Sequence, residues 1–168
     1  MELFFLIKVI FWSYVALLVG AAIFDVSRFV IPNWISVALV GLFFAAAAVL
    51  PLPLDWLSHL GGMALMLAGA LVLYVFRFMG GGDLKLAGAV GLWIGLGSMP
   101  QLIIAVALAG GAFTLALMIL RRLLTGVLVA QTTCEQVTLP RVLLPGEQIP
   151  YGVAIAAVGM LSTLGITL

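Results

Sequence analysis

The chain has 168 residues, of which 65% are hydrophobic and only 8% charged, and its formal net charge is +1. A soluble domain of this size could not cover so much apolar surface, and a charge so near zero excludes nucleic acid as a partner, which would demand a basic face. The single cysteine, Cys134, excludes an internal disulfide and a cysteine-built zinc cluster.

Apolar runs follow one another along the sequence at about Leu3 to Phe24, Trp34 to Leu50, Trp56 to Phe78, Leu84 to Gly97, Leu102 to Leu120 and Tyr151 to Leu168. Most approach the roughly 20 residues that cross a hydrocarbon core as a helix. The expected fold is therefore all-α, a polytopic bundle of about six transmembrane helices that uses residues 1–168 as one domain. Met1 to Phe24 lacks the basic start of a cleavable signal peptide and is read as a retained first helix. Pro32 and Asn33 open the second helix, and Pro51 and Pro53 close it. Gly80 to Gly82 separate the third from the fourth, and Pro100 separates the fourth from the fifth. Arg121 to Pro150 is read as a long irregular loop, with Pro140 and Pro145 in it.

Cations collect in alternate loops. Arg28 lies in the first, Arg77 and Lys85 flank the third, and Arg121, Arg122 and Arg141 fall in the fifth, whereas the second and fourth have none. By the positive-inside rule, loops one, three and five face the cytoplasm and both termini lie on the outer side of the membrane. Lys8 is the exception, close enough to the outer surface to snorkel.

Two of the six acidic residues stand at the cytoplasmic mouths of helices: Asp25 ends the first, and Asp83 opens the fourth behind three glycines. A carboxylate there is costly unless it is paired, solvated or used. Asp25 has a possible ion-pair partner three residues on, in Arg28, and Asp83 is a candidate N-cap. Taken together, two aspartates brought by separate helices to one interface are what a water-activating carboxylate pair requires. Glycines at 80 and 82 are expected to adopt positive φ and admit a substrate strand, or else to serve as a hinge. Gly88, Gly91 and Gly95 are read as close-packing residues of the fourth helix. Lys85 is read either as an anion-steering group or as an interfacial anchor. His59 and Asp55 fall near the opposite membrane face, His59 as an interfacial residue and Asp55 as a solvated charge beside Trp56. Cys134 has no histidine partner, Glu147 is a loop acid, and no Ser–His pairing is available.

These residues carry a resemblance. Asp25 followed by Ile31-Pro32-Asn33 is similar to the first signature of type IV prepilin peptidases, Gly80-Gly81-Gly82-Asp83-Leu84-Lys85 to the Gly-x-Gly-Asp box, and Ile149-Pro150-Tyr151-Gly152 to the segment that opens the last helix. The resemblance implies an aspartyl endopeptidase with Asp25 and Asp83 as catalytic pair and with Gly80, Gly82, Lys85, Pro32, Asn33, Pro150 and Gly152 around the substrate. It implies prepilins as substrates, cut after a glycine where a basic leader meets an apolar helix at the cytoplasmic interface. The lipid bilayer is the other partner, and no cofactor or metal is expected. With helix one starting at residue three and no Cys-x-x-Cys pairs, the chain resembles the short form that serves Tad/Flp-type pili, for which N-methyltransferase activity is not expected. A small proton-coupled transporter would place its carboxylates near the midplane, and a non-enzymatic scaffold would not need them.

Overall fold

The structure is a computed structural model and describes residues 2–49, 54–130 and 150–163. Among the described residues six α-helices make the bundle: α1 (Glu2–Arg28), α2 (Asn33–Val49), α3 (Trp56–Val75), α4 (Gly81–Ile94), α5 (Met99–Ala130) and α6 (Tyr151–Thr163), with a short 3₁₀ turn at Leu96–Ser98 before α5. By length and composition α1, α3 and α5 suffice to cross a membrane, while α2 and α6 are shorter apolar helices. Large apolar side chains such as Phe4, Trp12, Val75 and Leu115 lie exposed along the bundle. That surface is stable only with lipid rather than water against it.

Helix α4 is the axis. Leu86 through Leu92 are buried without interruption, and α2, α3 and α6 all pack on it. Its small residues explain how one helix accepts so many neighbours. A Cβ on Gly91 would lie 2.7 Å from the Gly62 carbonyl oxygen, and one on Gly62 would lie 2.6 Å from the Gly91 carbonyl oxygen. A Cβ on Gly88 would in turn lie 2.6 Å from Leu67 Cδ2. Gly95 has a different task from the one its spacing suggested. It is the C-cap of α4, at φ 73°.

The end of α4 away from Asp83 is closed by hydrogen bonds. Asp55 is exposed as expected, and it also caps α3, accepting from the N–H groups of Leu57 and Ser58 at 3.1 and 3.2 Å. Ser58 Oγ accepts from the Leu96 N–H at 3.0 Å, and His59 Nδ1 stands 2.8 Å from the Leu92 carbonyl oxygen. Elsewhere Trp93 Nε1 donates to the Leu39 carbonyl at 2.9 Å, which fastens α2, and Tyr14 Oη donates to the Gly159 carbonyl at 3.4 Å, which fastens α6 to α1.

Two boundaries differ from expectation. Helix α5 does not stop at Leu120 but continues to Ala130, because Arg121 and Arg122 interrupt hydropathy without weakening helix propensity. Of the loop expected from Arg121 to Pro150, residues 131–149 lie outside the described residues, and with them Pro140, Arg141, Pro145, Glu147 and Cys134. Helix α3 ends at Val75, short of Phe78. Phe78 N–H bonds the Leu73 carbonyl and Arg77 N–H the Tyr74 carbonyl, both at 2.9 Å, a Schellman closure in which Arg77 holds φ 61° where glycine is usual.

Candidate active site

Asp25 lies in the last turn of α1 and Asp83 in the first turn of α4, and they are only 4% and 6% exposed. Carboxylates so far from water normally find a cation or a full set of donors. Among the described residues Asp25 Oδ2 has no hydrogen-bond partner and no cation pairs with it. The Arg28 guanidinium lies over the Phe24 ring, 5.5 Å from its centroid, so the alternative of an Asp25–Arg28 pair is not what forms.

Asp83 is not the N-cap either. Gly80 is, with φ −76° and ψ 155°, and Asp83 stands at the third helical position, where Oδ2 accepts from the Gly80 N–H at 3.3 Å. This is one half of a capping box, the half that glycine leaves possible. Positive φ at Gly80 and Gly82 is not observed: among the described residues Gly95 is the one glycine with that conformation. The reason is that α4 already begins at Gly81. Gly82 is required for another purpose, since its Cβ would lie 3.0 Å from Ile31 Cβ and 3.1 Å from the Ile31 nitrogen. The missing side chain lets the start of α4 rest against the loop between α1 and α2.

The first turn of α6 joins the two carboxylates. A Cβ on Gly152 would lie 2.7 Å from Asp25 Oδ2, 2.9 Å from Asp83 Oδ1 and 2.6 Å from Ile31 Cδ1. Both aspartates therefore face one point, and the separation of those two oxygens can be no greater than the sum of their distances to it. The Gly152 and Val153 N–H groups lie beside Asp25, and that of Gly152 also beside Asp83. These belong to the first helical turn, whose N–H groups have no intrahelical acceptor. Pro150, fully buried, introduces that turn.

Of the residues singled out in the sequence, Asp25, Asp83, Gly80, Gly82 and Gly152 meet here. Lys85 and Asn33 meet each other one layer out, Nζ donating to Oδ1 at 2.8 Å on the exposed surface, with Pro32 beside them in the chain. Ile31 and the Val153 N–H were missed. The signal for Ile31 was present, since it is the apolar residue directly before Pro32-Asn33. His59 and Asp55 sit at the opposite end of α4: the carbonyl that His59 meets belongs to Leu92, nine residues beyond Asp83 and so about 14 Å along the helix. Among the described residues no three His, Cys, Asp or Glu side chains gather as a metal site.

The bundle, apolar on its outside, thus holds two buried carboxylates at one end, set against the N-termini of α4 and α6. The chain belongs to the type IV leader peptidase family, whose model matches residues 12–115 and so spans both aspartates. It is a leader-peptidase-like protease, and the family implies prepilin-type substrates. No curated protein and no solved structure matches the chain.

Proposed function

We propose that Asp25 and Asp83 are the catalytic pair of an aspartyl endopeptidase that removes the basic leader of prepilins, those of Flp-type pili in particular. The observation that carries this reading is the convergence of Asp25 Oδ2 and Asp83 Oδ1 on Gly152, with no cation against either oxygen among the described residues. One carboxylate takes a proton from water while the other, protonated, hydrogen-bonds the scissile carbonyl; the water oxygen adds to the carbonyl carbon, and the amine leaves with a proton from the pair. Two acids sharing one site exchange their protons as a unit. The backbone N–H groups at the start of α6 offer donors for the developing oxyanion.

In this reading Gly80 and Gly82 keep the approach to Asp83 free of side chains, Pro150 and Gly152 shape its far wall, and Pro32, Asn33 and Lys85 form the rim that meets the leader. Cations at the Asp83 end of the bundle, among them Arg28, Arg77 and Lys85, support a site facing the cytoplasm and both termini in the periplasm. Cleavage after a glycine at the inner membrane interface fits that orientation.

The test is substitution of each aspartate in membranes that also hold a prepilin. Asp25→Asn and Asp83→Asn should each remove nearly all cleavage, and the double variant should be little worse than either. Asp55→Asn, which retains an equally good cap for α3, should cleave normally. Substantial processing by either single variant at normal abundance would refute the aspartyl mechanism.

A further inference from the structure

Helix α3 packs on α4, α4 on α6 and α6 on α5, whereas α3 and α5 scarcely meet. The four helices form an open arc. Between its ends lies an apolar cleft of about 400 Å³, floored by Ala87 of α4 and Ile155 of α6. It follows α3 from Leu65 to Leu73, roughly 12 Å or two helical turns. Its walls are low where small residues face outward. Gly69 and Ala107 are both exposed, and a Cβ on Gly69 would meet nothing within 4 Å.

The floor is in register with the site. Ala87 follows Asp83 by four residues and Ile155 follows Gly152 by three, so each stands one helical turn from a residue of the site on the same helix face. Met79, at the cleft's end, is two residues before the start of α4.

We propose that this cleft seats the apolar helix of the protein being cleaved, entering sideways from the lipid, so that the extended stretch joined to it arrives at Asp25 and Asp83. The proposal rests on the peptidase reading above and adds where the substrate lies. A backbone in hydrocarbon must satisfy its own hydrogen bonds, so an apolar segment reaching the cleft from the bilayer comes as a helix. Small residues on both walls let its backbone approach closely. A lipid tail would wet the same walls, but it gains nothing from a floor aligned by one turn with both helices that carry the site.

Filling the cleft provides the test. Gly69→Leu and Ala107→Trp, singly and together, should be compared in lipid nanodiscs on a full-length prepilin and on a water-soluble peptide with the same leader and junction but no apolar helix. Leu115→Trp, on the lipid face of α5 outside the cleft, is the control. The double variant should lose about tenfold or more on the full-length substrate while staying within about twofold of the parent on the peptide. Parental processing of the full-length substrate would overturn the proposal, and so would equal loss on both substrates. A photo-crosslinker at position 107, placed in the Asp83→Asn protein, gives a readout that needs no turnover. It should attach to the substrate's apolar helix, and attachment to lipid alone would overturn the proposal. Should Asp83→Asn itself retain cleavage, the aspartyl reading fails, while the crosslink and the substrate ratio still judge the cleft.

Discussion

Gly152 is placed where any β-carbon would collide with Asp25, 2.7 Å from its Oδ2. The same atom would meet Asp83 Oδ1 at 2.9 Å, so one hydrogen in place of a methyl group preserves the space between two carboxylates. Gly152→Ala must push at least one of them aside, or tilt the start of α6. A displacement near 1 Å at reacting groups is enough to cost about 100-fold in rate. The expected outcome is loss of cleavage of that order in protein that still inserts and melts cooperatively. Cleavage by Gly152→Ala at the parental rate would mean that this space is not where the reaction occurs.

The two aspartates were legible because each carboxylate interrupts an apolar run at the same end of the bundle, a cost that demands a reason. What joins them was harder to read. Gly152 lies 127 residues beyond Asp25 in the chain, and only the packing of α6 against α1 and α4 brings it between them. Ile31 is marked in the sequence by Pro32-Asn33 after it, but only the packing shows its Cδ1 2.6 Å from where a Cβ on Gly152 would lie. The start of α4 was obscured by Gly80 to Gly82, since glycine's low helix propensity argues for a break where the structure has already begun a helix. Arg121 and Arg122 misled in the opposite sense, because charge ends a membrane span without ending a helix.

Lys85 donates to Asn33 across the junction of α4 and α2 at 2.8 Å. If the two form the rim as one unit, removing either partner removes the same contact. Lys85→Met and Asn33→Ala should each raise KM for prepilin by about threefold, a size suited to an exposed charge-assisted bond, and the double variant should be no worse than the more affected single. Multiplicative effects would assign the two side chains separate roles.

The chemistry proposed for Asp25 and Asp83 uses two carboxylates and a water. Among the described residues no third ligand joins them, and His59 is engaged at the far end of α4. Cleavage by purified protein is therefore expected to persist in excess EDTA. Loss of activity that zinc or magnesium restores would replace the acid–base pair with a metal-activated water.

Stability of the site depends on the crossing of α3 and α4, where Gly62 and Gly91 face each other's carbonyl oxygens at 2.6 and 2.7 Å from the missing β-carbons. A carbonyl within a helix has no rotamer with which to withdraw, so a methyl group at either position must separate the helices. Overpacking of this kind costs about 1–3 kcal/mol. Gly91→Ala and Gly62→Ala should lower the melting temperature in detergent, whereas Gly41→Ala, on α2 with nothing within 4 Å of its added carbon, should not. Since Gly91 is two helical turns from Asp83, the surviving folded fraction of Gly91→Ala should still cleave prepilin at low temperature. Unchanged melting of Gly91→Ala would show that the helices cross with more room than the glycine pair implies.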